Sequence, residues 1–326
     1  MKIDPMRRAG IALALALCCG AAFAADVYPS KPLRIIVPFA AGAGADAIAR
    51  VVADHLGKAM GQPVVVDNKP GANGLLGADA AARSPADGYT LLLVDRSVLG
   101  INPSLYKKMP YDPVKDFSYL GIVAWAPYVM VVNPAVPASN LKELIAYTQE
   151  RPGKVDYGSF GKGSLPQIDM ALIKARQGLM LNEVPYKGAA PAITATMGGE
   201  VSVTLSSIGS LLGGIRDNRL RPIVVGAAQR SALLPQVPTI VEEGGDEDTL
   251  LATYFGFALP VGTPAPLATT LAEQLRKVVA LPEVQKQFAA LGMEASTVDG
   301  AAMTRIVRED VTRFQGIATA LGIQAE

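Results

Sequence analysis

Two glycine-rich turns hold the residue types with which this sequence could do chemistry, namely the binding of an anion. The first turn, residues 39–46, follows an apolar run at Leu33–Val37 that is typical of a buried parallel strand, and it leads into a helical pattern. Asp46 is the expected N-cap of that helix. The first amides of a helix lack intrahelical acceptors and attract negative groups. We therefore expect an anion site formed by Phe39, Ala40, Ala41, Gly42, Ala43, Gly44, Ala45 and Asp46.

Two other interpretations of the first turn stay open. Gly42–Ala47 fits the pattern G-x-G-x-x-A, and Asp67 ends a later strand at the distance that a dinucleotide-binding fingerprint requires. However, Pro38–Ala41 separates the strand from the first glycine, which in such a fingerprint follows the strand directly. The third interpretation is a structural strand-to-helix connection that binds no ligand.

The second turn, residues 159–164, repeats this arrangement later in the chain. It follows a predicted strand at Val155–Ser159 and precedes a predicted helix at Gln167–Gln177. Amides and hydroxyls again lie before a helix start, so the pattern predicts a second anion site. The residues of this second predicted site are Ser159, Phe160, Gly161, Lys162, Gly163 and Ser164.

A third group of polar residues ends the predicted strand Gly88–Val94, where Asp95, Arg96 and Ser97 follow. Ligands of open α/β sheets gather at the carboxyl ends of strands, so this segment and the first turn should line one wall of a cleft. A guanidinium can bind a carboxylate through two parallel hydrogen bonds, and Arg96 is our candidate for that role. The alternatives are a solvated loop arginine or an ion pair with Asp95.

The residues needed for common enzyme mechanisms are scarce. His55 is the one histidine, and it lies in the middle of a predicted helix. The two cysteines, Cys18 and Cys19, lie near the start of the chain. A Ser-His-Asp triad and the common zinc sites are therefore disfavoured. We expect a binding protein with no catalytic residues, no metal and no cofactor.

The N-terminal segment Met1–Ala24 resembles a secretory signal, with a basic start, a short apolar core and a small-x-small cleavage pattern. Cys18 would also allow a lipoprotein signal, but Leu17 precedes it where such signals have a small residue. Cleavage after Ala24 removes three basic residues and one acidic residue, which changes the net charge from +1 to −1. A nearly neutral chain argues against binding of nucleic acid or of a membrane surface.

The length of 326 residues predicts two domains, because single cores rarely grow so large. Strands and helices alternate along the chain, which predicts an α/β fold. Short strands at Leu33–Val37 and Tyr128–Asn133 begin the two predicted domains, and Leu250–Leu259 is expected to return the chain to the first. We assign residues 26–125 and 248–326 to a first lobe and residues 126–247 to a second, with hinges near Ala126 and Leu250.

Several motifs, in this order along the chain, resemble the Bug-type periplasmic solute receptors of tripartite tricarboxylate transporters. They are Tyr28–Phe39, Gly71–Gly74, Asp87–Leu91, Ile101–Tyr106, Tyr111–Phe117, Val184–Gly188 and Pro235–Thr239. The resemblance implies a type II-like, two-lobed periplasmic binding protein in which each lobe is a mixed sheet flanked by helices. Two crossover strands would join the lobes, which close on the ligand like a Venus flytrap.

The resemblance also implies the ligand, the partners and the site. A monomeric receptor in the periplasm would carry a small organic anion to the permease subunits of the inner membrane. The first and second turns would clamp one carboxylate, and Ser206 and Ser207 would lie beside them. The chief rivals are a receptor that serves a sensor kinase and a secreted hydrolase using Ser164, although the G-x-S-x-G elbow is missing there.

Departures from the family's usual residues bear on the ligand. Ala45 replaces a frequent threonine, and Ser206-Ser207 replaces a frequent Asp-Asn pair. With Arg96 added, the pocket should be less acidic than is usual in the family. We therefore expect a mono- or dicarboxylate, including aromatic acids, and no ligand that carries an amino group.

Overall fold

The computed structural model describes residues 28–42, 44–245, 251–320 and 322. The predicted signal segment, Ala43 and Leu250 lie outside the described residues. Strands in this part of the chain are β1 (Leu33–Val37), β2 (Val64–Asn68), β3 (Thr90–Asp95), β4 (Phe117–Val132), β5 (Asp156–Ser159), β6 (Asn182–Pro185), β7 (Val203–Ser207), β8 (Arg221–Val225), β9 (Ala252–Pro260) and β10 (Glu294–Asp299).

Helices alternate with these strands through most of the chain. They are α1 (Gly44–Met60), α2 (Leu75–Ala82), α3 (Asn102–Leu105), α4 (Leu141–Gln149), α5 (Leu165–Gln177), α6 (Ala189–Gly198), α7 (Ile208–Arg216), α8 (Ala265–Val279), α9 (Pro282–Ala290) and α10 (Gly300–Ala320). A 3₁₀ turn covers Ala72–Gly74, and a π-helical turn covers Ser97–Ile101. No helix among the described residues is long and apolar enough to cross a lipid bilayer.

The first sheet has the strand order β2-β1-β3-β9-β4, with β10 pairing along β4. Strands β1, β2 and β3 run parallel, whereas β9 and β4 run antiparallel to their neighbours. Ile35 and Ile36, neighbours on opposite faces of β1, are both fully buried. Burial on both faces requires helices on both sides, which explains the uninterrupted apolar run in β1.

The second sheet has the order β4-β7-β5-β6, and β8 also pairs with β4. Strand β4 therefore belongs to both sheets. Its residues 117–127 pair with β9, and its residues 128–132 pair with β7. The two sheets together confirm a mixed α/β fold with a sheet in each half.

The chain passes between the sheets twice, and the two crossings lie side by side. Ala126 pairs with Thr253 and Pro127 with Ala252, and the Tyr128 amide then donates to the Leu251 carbonyl at 2.8 Å. Two adjacent backbone segments can bend together with few side chains to rearrange. The predicted lobe boundary and hinge near Ala126 lie at these crossings, whereas the boundary at residues 247–248 and the hinge near Leu250 lie outside the described residues, and all of them stay predictions.

An apolar cluster joins elements that flank different sheets. Ile101 and Leu105 before β4 pack with Leu165 and Ile168 of α5 and with Phe314 of α10. The cluster is continuous with the packing of α10 along the π-helical turn and α3. The two halves of the molecule are therefore in direct contact on this side.

Two expectations about individual strands differ from the structure. The sequence pattern starts a new strand at Tyr128, yet β4 runs unbroken through Pro127. Proline is tolerated there because the partner strand changes at that point, so its missing amide costs no regular ladder bond. Strand β10 escapes prediction because it is mostly exposed, which leaves little apolar alternation to detect.

Candidate functional site

The carboxylate of Asp46 fixes the first turn. Its Oδ2 accepts hydrogen bonds from the Gly42 amide and from Arg50 Nε, both at 2.9 Å. Its Oδ1 accepts from Asn68 Nδ2 at 3.0 Å, and the same amide nitrogen donates to the Phe39 carbonyl at 3.1 Å. Asp46 thus ties the start of α1 to the preceding turn and to the end of β2.

This arrangement corrects the expected role of Asp46. Helix α1 begins at Gly44, so Asp46 lies in its first turn and is not the N-cap. Burial by itself raises the pKa of Asp46, but hydrogen bonds from Arg50, Gly42 and Asn68 lower that pKa below its usual value. The ionised carboxylate already holds the Gly42 amide, so that amide is directed at Asp46.

The middle of the first turn faces solvent. Ala40, Ala41, Gly42 and Gly44 are exposed, Phe39 is half-buried and Ala45 is buried. The opening amides of α1 have no intrahelical acceptor, which leaves them as donors beside the open turn. The arrangement suits a small anion that approaches from solvent.

The second turn is held by a network of side chains. Its Gly161 amide donates to Ser159 Oγ at 3.2 Å, and its Gly163 amide donates to Gln167 Oε1 at 2.7 Å. The Ser159 hydroxyl in turn donates to Glu183 Oε1 at 2.5 Å, and Gln167 Nε2 donates to Glu183 Oε2 at 2.9 Å. Both glycines have left-handed backbone angles, φ +101° and +75°.

The second half of the molecule offers serine hydroxyls at two places, before helix α5 and at the end of strand β7. Ser164 Oγ is buried and has no hydrogen-bond partner among the described residues. Ser206 is buried at the end of β7, and the hydroxyls of Ser207 and Ser210 lie 2.8 Å apart at the start of α7. Lys162 is exposed and Phe160 half-buried. A buried hydroxyl without a partner is rare, so Ser164 is the group here that most needs an acceptor.

Contacts between the two halves flank both turns. A Cβ on Gly163 of the second turn would overlap Leu105 at the end of α3. A Cβ on Gly44 of the first turn would lie 3.1 Å from Met293 Cε, and neighbouring Gly292 packs on Gly209 at the start of α7. The second turn therefore lies against α3 of the other half, and the start of α7, next to Ser206–Ser207, lies against the Gly292–Met293 segment that contacts the first turn.

Arg96 lies in a buried ion pair. Arg96 is only 8% exposed, and its Nε donates to Asp310 Oδ2 of α10 at 3.2 Å. Its Nη1 donates to the Ala252 carbonyl at the crossing, and the guanidinium lies over the rings of Trp125 and Tyr254. The alternatives of a solvated arginine and of a pair with Asp95 are wrong, because the partner is Asp310. A ligand role for Arg96 stays a prediction.

Two carboxyl groups near Arg96, those of Asp169 and Asp95, have raised pKa values. Burial raises the pKa of Asp169, on α5, to about 7, although Arg96 and Arg313 oppose that rise. Burial also raises the pKa of Asp95 to about 6, although the amides of Val98 and Ser97 donate to it. Ser97 thus serves Asp95 through its backbone at the start of the π-helical turn.

Sequence reasoning missed several residues that organise the site. Glu183, Gln167 and Asn68 hold the turns, and Asp310 pairs with Arg96 from 214 residues away. Spacing along the chain carries no signal for such pairs. Among the described residues, no group of histidine, cysteine, aspartate and glutamate side chains could hold a metal ion.

Comparisons with known proteins identify the family and the fold of this chain. The profile of the tripartite tricarboxylate transporter family receptor matches residues 48–323. BugT of Bordetella pertussis is 34% identical over 299 residues, which is 91% of each chain. Structurally, Rpa4515 of R. palustris with adipate has a TM-score of 0.83 at 29% identity, covering 92% of this chain and 100% of that one.

A second solved structure extends the agreement. MatC of Rhodopseudomonas palustris with bound malate has a TM-score of 0.77 at 25% identity, covering 89% of this chain and 99% of that one. The family and fold are those of solute receptors rather than enzymes, and the resemblance inferred from the sequence is confirmed. The chain belongs to the receptor family of the tripartite tricarboxylate transporters.

Proposed function

We propose that this protein is a periplasmic receptor that binds a small organic dicarboxylate between two lobes and delivers it to a tripartite permease. The first lobe comprises residues 26–125 and 248–326, and the second comprises residues 126–247. The lobes close about the paired crossings of β4 and β9. The protein acts as a monomer that presents its loaded form to permease subunits of the inner membrane.

One observation carries this proposal: each half holds a strand-to-helix turn that is fixed by internal hydrogen bonds before any ligand arrives. Asp46 fixes the first turn, and Glu183 with Gln167 fixes the second. Preformed turns lose little conformational entropy on binding, which favours a small ligand with few atoms of its own. The related structures with adipate and with malate contain ligands of this class.

The chemistry of the donors favours a carboxylate. The opening amides of α1 and the first amide of α5, that of Leu165, offer N–H groups with the positive end of a helix dipole, and each such contact is worth about 0.3–2 kcal/mol. Pro166 has no N–H, and the Gln167 amide already donates to the Ser164 carbonyl. The Ser164 hydroxyl supplies a buried donor, and Ser206 and Ser207 add two more. Each oxygen of Glu183, the carboxylate behind the second turn, accepts a hydrogen bond from a side chain of that turn or of α5.

Thermal-shift and calorimetric titration test the ligand class. We expect adipate, malate, succinate or phthalate to stabilise the protein, by about 2.7 kcal/mol at a concentration 100 times Kd. Aspartate and glutamate should give no shift. Stabilisation by amino acids, with none by simple carboxylates, would overturn the proposal.

A serine variant tests the site. Ser164→Ala removes the buried donor and should weaken carboxylate binding about tenfold, the usual scale for a hydrogen bond to a charged group. Ser202→Ala, just before β7, is the matched control and should bind like the wild type. Equal affinities of the wild type, Ser164→Ala and Ser202→Ala would show that the Ser164 hydroxyl does not bind the ligand.

Growth of a deletion strain tests the transport partner. We expect loss of growth on the bound acid, together with unchanged induction of its catabolic genes when the acid enters by another route. Lost induction with normal uptake would instead favour a receptor that serves a sensor kinase.

A further inference from the structure

Glu183 is not among the predicted site residues, yet its carboxylate accepts the last hydrogen bond in each of the two chains of hydrogen bonds that organise the second turn. It is exposed on strand β6, opposite Tyr157 of β5. Its Oε1 accepts from Ser159 Oγ at 2.5 Å and its Oε2 from Gln167 Nε2 at 2.9 Å. One carboxylate therefore bridges the last residue of β5 and the first turn of α5.

Each of these two side chains also accepts a hydrogen bond from the backbone amide of a glycine in the turn. Ser159 Oγ accepts from the Gly161 amide at 3.2 Å, and Gln167 Oε1 accepts from the Gly163 amide at 2.7 Å. The donor directions are fixed by this chain. The Ser159 hydroxyl donates its hydrogen bond to Glu183. The Gln167 Nε2 must face Glu183 because the Gln167 Oε1 faces the Gly163 amide.

The turn needs such support because of its glycines. Gly161 and Gly163 adopt left-handed angles, and glycine has the largest conformational freedom to lose when a loop becomes ordered. Without fixed acceptors for their amides, that ordering would have to occur when the ligand binds. Ser159 is fully buried, so its hydroxyl has no solvent to replace Glu183.

We infer that Glu183 is a positioning residue that holds the second turn in its binding conformation without touching the ligand. The inference rests on the proposed function for its effect on affinity. It opposes the simplest electrostatic expectation. A carboxylate close to an anion site should repel the ligand, so its neutralisation alone would tighten binding.

A charge-swap cycle between positions 183 and 167 tests the inference. In Glu183→Gln the new side-chain NH₂ group faces the NH₂ group of Gln167, and two donors cannot form a hydrogen bond. If the Gln167 side-chain amide flips to accept from residue 183, its NH₂ group then faces the Gly163 amide, so one hydrogen bond of the network is lost in either case. Gln167→Glu sets two carboxylates against each other. The double substitution restores every link, because the new carboxylate at 167 accepts from Gly163 and from the new amide at 183.

We expect Glu183→Gln to weaken adipate or malate binding roughly tenfold, and the double variant to return to within about threefold of the wild type. Glu200→Gln is the matched control, since it removes an exposed carboxylate from the same half of the molecule. Its affinity should equal that of the wild type. Equal or tighter binding by Glu183→Gln, or a double variant no better than Glu183→Gln, would overturn the inference.

Amide hydrogen exchange provides a readout that needs no ligand. The Gly161 and Gly163 amides should exchange faster in Glu183→Gln and regain protection in the double variant, while protection in β5 and α5 stays unchanged. Unchanged protection of both glycines in Glu183→Gln would contradict the inference. If the wild type binds no carboxylate, the proposed function fails, and hydrogen exchange still decides whether Glu183 holds the turn. Ser159→Ala gives a second test of the Gly161 relay if Glu183→Gln does not fold.

Discussion

The buried carboxyl group of Asp169 makes the stability of this protein depend on pH in a direction opposite to the usual one for acidic residues. Asp169 lies on α5 at 5% exposure, and its Oδ2 has no hydrogen-bond partner among the described residues. The charged groups that face it are Arg96, beside β3, and Arg313 of α10, and Tyr128 of β4 lies close as well. Burial outweighs both guanidinium groups and raises the pKa of Asp169 to about 7.

The sign and size of the effect follow from linkage. In the unfolded chain Asp169 ionises near 3.8, whereas in the folded protein it keeps its proton up to about pH 7. Between these values the folded state binds more protons, so the free energy of unfolding falls as pH rises. A pKa difference of about three pH units corresponds to about 4 kcal/mol, all of it lost above pH 7. The raised pKa of Asp95, about 6, acts in the same direction.

Urea unfolding of the wild type and of Asp169→Asn at pH 5 and pH 8 measures this effect. The amide mimics the protonated acid, and at pH 5 the wild type has already lost the part of the effect between pH 3.8 and 5, so the variant should be more stable by only about 1–2 kcal/mol there. At pH 8 the variant should be more stable by about 2–4 kcal/mol. Asp217→Asn, an exposed carboxylate, is the control and should follow the wild type at both pH values. The same pH dependence in Asp169→Asn and the wild type would refute the reasoning.

Two further predictions concern contacts between the halves of the molecule. Asp310→Asn leaves the buried guanidinium of Arg96 without its charged partner, and it should lower the free energy of unfolding by about 3–5 kcal/mol in urea unfolding. Gly209→Ala places a Cβ against the Leu291 carbonyl, so the halves cannot approach as closely as they do here. Carboxylate affinity should fall at least about tenfold in calorimetric titration, with little loss of stability.

Each of these predictions has a control in the same element. Thr312→Ala changes an exposed hydroxyl of α10 and should cost less than about 0.5 kcal/mol. Gly213→Ala lies in the same helix as Gly209 with open space around it, so affinity should be unchanged. An Asp310→Asn loss as small as that of Thr312→Ala, or equal binding by the two glycine variants, would contradict the contacts on which the predictions rest.

The local parts of the fold and site could be predicted from the sequence. Strand β1 and helix α1 follow from an apolar run and from helical periodicity, and the glycines between them indicate a tight turn. The second turn and helix α5 follow in the same way. The expected N-cap at Asp46 was wrong because the helix already begins at Gly44, and helix ends depend on contacts outside the local window.

The sequence by itself determined the α/β alternation, the two glycine-rich turns and, through its motifs, the family. These features depend on residues within one strand, helix or turn, so a short window contains the whole signal. Only the tertiary structure decided that Arg96 pairs with Asp310, that Glu183 supports Gly161 and Gly163, and that Asp169 is buried. Such contacts join residues far apart in the chain, and their energies depend on burial, which is fixed only when the elements pack.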